Sequence, residues 1–292
     1  MSAQRISLIF ITLFLATVSK ANSQCESPTP RTATWIEEAV YSLAGLGSAQ
    51  GLEVRDSRVY VYGDSDTGII REYLFTREGF MQLGNPIRLT DGRYDLIPHP
   101  TGLTHHDHWG TFIGNTVNGR GTIYRLDWGI ARRQRNVRNG ILDAIVDDAA
   151  INGTRPEFVE VGGVAYLATS DYGPRGNEVR LYSPETLTVA SRTSDENVLI
   201  DRFDVGPWVQ NLHWIPSRGE LVLVQNQIEG LRWRLSFVDL EASLGSNCAV
   251  YTKIIDLDPL DELEGFHMIG DDLGIGISSS SRFNARVIRL VD

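Results

Sequence analysis

The stretch "QGLEVRDSRVYVYGDSDTGIIREY", residues 50–73, reads as three short strands joined by polar turns. Apolar residues cluster in runs of roughly four to six positions, and Asp56-Ser57 and Asp64-Ser65-Asp66-Thr67-Gly68 supply turn chemistry between them. The same pattern returns at "TGLTHHDHWGTFIGNTVNGRGTIYRL" from Thr101 and "PEFVEVGGVAYLATSDYGPRGNEVRLY" from Pro156. It returns again at "QNLHWIPSRGELVLVQNQIEGLRWRL" from Gln210 and "EGFHMIGDDLGIGISSSSRFNARVIRL" from Glu264. Successive starts lie 51, 55, 54 and 54 residues apart, a spacing that fits one four-stranded meander with its loops. Each third strand carries an arginine: Arg71, Arg125, Arg180, Arg234 and Arg289.

A lone meander leaves two faces and two edges uncovered, and a ring of such units covers them. The sequence therefore predicts an all-β, five-bladed β-propeller with blades starting near 50, 101, 156, 210 and 264. The fifth repeat has three strands before Asp292, while "TATWIEEAVYSL", residues 32–43, is a strand without a blade. Residues 34–43 are expected to complete the C-terminal blade beside Val287–Leu290.

The chain has 292 residues, and 42% hydrophobic content supports a real core. Arg5 and the apolar run 6–16 have signal-peptide character and are shorter than the roughly 20 residues a span needs. Residues 1–21 are read as a signal peptide and 22–292 as a single propeller domain, secreted or periplasmic, with no membrane span. In an oxidising compartment Cys25 and Cys248 are expected to pair. The net charge of −10 argues against nucleic acid. The basic run Arg132-Arg133-Gln134-Arg135 with Arg138 reads as a solvated loop.

Four of the six histidines, His99, His105, His106 and His108, fall within ten residues. The repeat places "HHDHWG" in the hairpin between the two innermost strands of the second blade. Three of the four therefore sit at a turn and the fourth at the far end of a strand, too spread for one zinc ion.

The second strands end in Asp64, Asn115, Asp171, Asn226 and Ser279, and the first strands begin at Gln50, Thr101, Glu157, Gln210-Asn211 and Glu264. One rim of the channel thus receives carboxylates and amides from every blade. If Glu157, Glu264, Asp64 and Asp171 converge, a hard cation relieves their repulsion, and Asn115 and Asn226 add neutral oxygens. Gln50, Gln210 and Asn211 are candidate ligand-binding groups. His213 and His267 share one repeat position on adjacent inner strands and are candidate general bases.

The "ELEGF" opening of the fifth repeat resembles the "EG-apolar" blade openings of calcium-binding propeller hydrolases, the lactonase/arylesterase group and the calcium-dependent apyrases. That resemblance implies a central calcium ion held by Glu264 and Glu157 with Asn115, Asp171 and Asn226, serving hydrolysis of a small ester, lactone or phosphoester. "RPEFVEVGGVAYLATS" is similar to blade openings of five-bladed glycoside hydrolases, but the first two blades begin with Gln50-Gly51 and Thr101-Gly102, without the acids such enzymes use. The reading from a different class is a non-catalytic propeller that binds a glycan, a protein or a small molecule. Trp109, Trp128, Trp208, Trp214 and Trp233 would then be stacking platforms.

Overall fold

The computed structural model describes residues 29–228, 232–257 and 261–291. The expected signal peptide and Cys25 lie outside the described residues. Five antiparallel sheets follow one another along the chain. Their innermost strands are Ala49–Arg55, Pro100–His106, Glu157–Val161, Val209–Ile215 and Leu263–Met268, one per blade. Each pairs with the next strand in sequence across a short hairpin, as the repeat required.

Blade 5 takes its outer strand from the other end of the chain. Thr34–Tyr41 pairs antiparallel with Ala285–Val291, Trp35 opposite Leu290 and Tyr41 opposite Ala285. The short strand Arg31–Thr32 adds one feature not anticipated, pairing in parallel with Lys253 and Ile254 on the outside of blade 4. In blade 1 the outer strand is interrupted: Gly79–Gln82 and Ile87–Arg88 both pair with Gly68–Thr76. Gly84-Asn85-Pro86 separates the two pieces, where proline offers the ladder no donor.

Apolar side chains collect between blades. Leu212 and Leu223 of blade 4 pack with Val159 and Val179 of blade 3. Leu52 and Val61 of blade 1 pack with Ile275 and Ile277 of blade 5, so the last interface is built like the others and the ring is closed.

Three of the five third-strand arginines tie strands together at the periphery. Arg125 pairs with Asp143 at 2.5 Å, Arg234 with Asp256 at 2.6 Å and Arg289 with Glu38 at 2.6 Å. Arg180 departs from this use. It is fully buried and holds Asp171 through both oxygens, at 2.7 and 2.9 Å.

Candidate functional site at the central channel

The polar residues that end the second strands have a local task. Asp64 accepts the Ser48 N–H at 3.2 Å, Asn115 the His99 N–H at 3.1 Å, and Asp171 the Ile151 N–H at 2.7 Å. Each satisfies the loop entering its own blade's inner strand, where an unpaired buried N–H would be costly. Asn226 differs: its backbone N–H donates to Trp208 O and its side chain meets Tyr172. The recurrence seen in sequence thus has a structural cause. Asp171 in addition spends its charge on Arg180.

The strand starts are not all level. Blades 1, 2, 4 and 5 have irregular register there, between Ala49 and Gly51, Pro100 and Leu103, Val209 and Asn211, and Leu263 and Gly265. Blade 3 has a regular ladder, and Glu157 pairs with Ala168 rather than with the strand-end residue Ser170. A bulge adds residues on one strand only, so equal sequence spacing does not give equal depth. Glu157 therefore lies deeper than Glu264, and Arg155, two residues earlier, comes level with Gln210 and Glu264.

Two polar groups result, one toward each mouth. At the strand-start mouth, Arg155 donates to Gln210 O at 3.0 Å and to Gln210 Oε1 at 3.3 Å. Gln210 Nε2 donates to Glu264 Oε2 at 2.8 Å, and Asn211 Nδ2 donates to Glu264 O at 3.1 Å. Gln50 is buried and reaches Ser48 Oγ at 3.4 Å. Burial first, then the nearby Glu262 carboxylate, raises the Glu264 carboxyl well above its ordinary range.

Between the mouths, Asn211 Nδ2 also donates to the Tyr62 hydroxyl at 2.5 Å. A Cβ on Gly51 would come within 2.2 Å of that hydroxyl and 2.4 Å of the amide nitrogen. Glycine at 51 is what allows the two side chains to meet.

Beyond this bar, at the hairpin mouth, a cavity of about 550 Å³ is lined by Glu53, Glu157, His213, His267, Thr104 and Trp214, among others. Glu157 Oε1 accepts the Trp214 N–H at 3.0 Å and stands 3.9 Å from His213 Nδ1. His267 Nδ1 stands 3.9 Å from Glu53 Oε2, and the two imidazoles meet with centroids 3.9 Å apart and planes tilted by 39°. Burial pushes the Glu157 carboxyl up to about 8. Burial and then Glu157 raise Glu53 well above its ordinary range. Burial lowers His267 to about 3, and burial with the His267 neighbour lowers His213 well below 6.5. Near neutral pH the cavity holds two neutral imidazoles and two carboxyls that burial pushes toward the protonated form, Glu53 further so by the charge of Glu157.

His213 Nε2 accepts the Met268 N–H at 3.1 Å, which fixes the neutral ring with its hydrogen on Nδ1. Nδ1 is buried without a hydrogen-bond partner. The lone pair a general base would use is therefore occupied, and His213 presents a donor to the cavity. His105 and His106 of the histidine-rich turn border the same cavity, while His99 pairs with Asp64 at 3.2 Å at the other mouth.

The structure thus brings His213, His267 and Glu157 together and sets Glu264, Gln210 and Asn211 apart from them. Glu53 and Arg155 complete the two groups and had not been singled out. Glu53 had a signal, since it occupies the His213 repeat position. Arg155 had none without knowledge of the bulges. Among the described residues, no group of three or more His, Cys, Asp or Glu is arranged to hold a metal ion.

No family model and no curated protein matches the sequence. Solved structures do match the fold. The glutaminyl cyclase of Myxococcus xanthus is similar over 90% of this chain and 98% of its own, at 13% identity and a TM-score of 0.56. An engineered GH43 glycoside hydrolase with endo-xylanase and exo-arabinofuranosidase activity is similar over 87% of this chain and 51% of its own, at 10% identity and a TM-score of 0.50. At these identities the likeness is one of architecture, and both neighbours are propeller enzymes.

Proposed function

We propose that the chain is an acid–base enzyme whose hairpin-mouth cavity acts on a small, uncharged acyl compound: an ester, a lactone or an amide. The observation that carries this reading is the pair of buried carboxyls, Glu53 and Glu157, interacting within a cavity that also holds two neutral imidazoles. Two coupled carboxyls in one low-dielectric space divide their protons unequally. Glu53, which burial and the charge of Glu157 both hold protonated, gives its proton to the departing group. Glu157, the first of the pair to ionise, takes one from the attacking nucleophile, and the His213 Nδ1–H steadies charge developing on the acyl oxygen. An anionic substrate would be repelled by the ionised member of the pair. The enzymatic neighbours support catalysis in a propeller channel without naming the substrate.

The test is turnover of a panel of aryl esters, lactones and N-terminal glutaminyl peptides by wild type and Glu157→Gln. A turnover that falls about 100-fold in the variant supports the reading. No turnover anywhere in the panel gives precedence to a propeller that only binds its ligand.

The calcium ion expected at the strand-start mouth is a second reading, supported by Glu264 beside Glu262 and Asp64. Against it stands Arg155, whose guanidinium already places a positive charge there. Calorimetry with millimolar calcium on wild type and Glu264→Gln decides between them: heat that disappears in the variant supports the ion. Export and pairing of Cys25 with Cys248 belong to the same reading, and intact mass before and after reduction and alkylation checks the pairing.

A further inference from the structure

Two arginines are buried in blade 3, and only one is in direct contact with a carboxylate. Arg180 is held by Asp171 through both oxygens. Arg155 is 4% exposed, and no carboxylate oxygen lies within salt-bridge distance of it among the described residues. Its hydrogen bonds go to Gln210 O, Gln210 Oε1 and Asn152 O, all uncharged acceptors, leaving part of the five-donor fork unused. Its guanidinium lies over the Tyr172 ring at 5.2 Å. Glu264 and Asp171 act on it only through space, and a buried guanidinium with unused donors and no carboxylate in contact leaves room for an anion from outside.

A second unsatisfied donor lies beside the same ring. The Tyr172 hydroxyl accepts a hydrogen bond from Gln227 Nε2 and donates to Asn226 Oδ1 at 3.2 Å. That order fixes the Asn226 amide with its nitrogen facing away from the hydroxyl. The nitrogen is buried without a partner, in a residue 1% exposed. Trp208 packs on Tyr172 with centroids 5.1 Å apart and holds φ +60, a left-handed conformation rare for a bulky side chain. Its N–H donates to Gly173 O at 2.9 Å and its carbonyl accepts the Asn226 N–H at 3.2 Å, so the strain is held from both sides.

We propose that the strand-start mouth is a binding site for a small monocarboxylate with a planar apolar body, its carboxylate on Arg155 and Asn226 and its body against Tyr172 and Trp208. A carboxylate fits the planar guanidinium fork. A dianion such as phosphate does not fit as well, because Glu264 and Asp171 already act on the single positive charge of Arg155. This site is independent of the acyl-transfer reading and lies on the other side of the Tyr62–Asn211 contact from the cavity.

The test is calorimetry of the full chain with sodium benzoate, benzamide and inorganic phosphate as probes. We expect benzoate to bind at least about 10-fold more tightly than benzamide, and Arg155→Met to weaken benzoate about 30-fold or more. Benzoate no tighter than benzamide, phosphate tighter than benzoate, or intact benzoate binding in Arg155→Met would each overturn the proposal. If Arg155→Met does not fold, Asn226→Asp replaces it. That variant keeps the shape and turns a donor into a negative charge, so lost benzoate binding supports the site and retained binding sinks it.

Discussion

Glu157 and Glu264 open equivalent strands of blades 3 and 5, yet they serve opposite ends of the channel. Glu264 accepts the Gln210 amide and has Arg155 nearby. Glu157 accepts one backbone N–H, faces a close pair of imidazoles and shares its space with a second carboxyl. Equal positions in a repeat do not guarantee equal surroundings, because one regular ladder among bulged ones moves a side chain along the axis. The two ends carry different chemistry for that reason: uncharged acid and base groups at the hairpin mouth, a lone guanidinium at the other.

Both ends depend on one closed ring, so the largest effect is expected from opening it. Deleting residues 22–45 removes the strand opposite Trp35 to Tyr41's partners and exposes the Ala285–Val291 edge. The truncated chain should show no cooperative thermal transition by circular dichroism. A truncated protein as heat-stable as the parent would mean that closure does not hold the two mouths.

The next test sets the two buried arginines of blade 3 against each other. Arg180→Met leaves Asp171 buried and uncompensated, and should lower stability by about 3–5 kcal/mol. Arg155→Met removes a buried charge that no carboxylate contacts, and its stability should stay within about 1 kcal/mol of wild type or rise. Urea unfolding of the two variants gives both numbers. Equal losses would show that Arg155 is a structural clamp after all, and the contrast between the mouths would lose its basis.

The fold was legible because strand, turn and strand recur at nearly constant spacing, and because residues 34–43 form a strand with no blade of their own. The paired termini follow from both. The candidate site was legible only in part. His213 and His267 were found because they share a repeat position, and the structure brings their rings into contact. Glu157 was assigned to the wrong depth, because the single residue that a β-bulge adds has no sequence signature strong enough to shift an alignment. The strand-end Asp64, Asn115 and Asp171 looked like ligands because carboxylates and amides serve loop N–H groups and metal ions equally well. Only their partners tell the two uses apart. Arg155 was passed over since it precedes the strand as the repeat defined it.

The smallest expected effect is also the one whose sign is most specific to the hairpin mouth. Glu157 has its carboxyl raised from 4.5 to about 8 by burial. Between those values the folded state holds a proton that the unfolded chain has released, so stability falls as pH rises through that window. His267 is lowered from 6.5 to about 3, also by burial. Between those values the unfolded chain holds a proton that the folded state lacks, so stability rises as pH rises from about 3 to 6.5. The two trends oppose each other below pH 6.5, while between about 6.5 and 8 the Glu157 trend acts without the His267 one. Glu157→Gln keeps the size and removes the titration. Relative to wild type, its melting temperature should therefore gain a few degrees between pH 6.5 and 8, as expected for a change on the order of 1–2 kcal/mol. Thermal melts of both proteins across that range check this. Parallel curves would mean that Glu157 is already ionised when folded, and the base assigned to the cavity would lose its raised carboxyl.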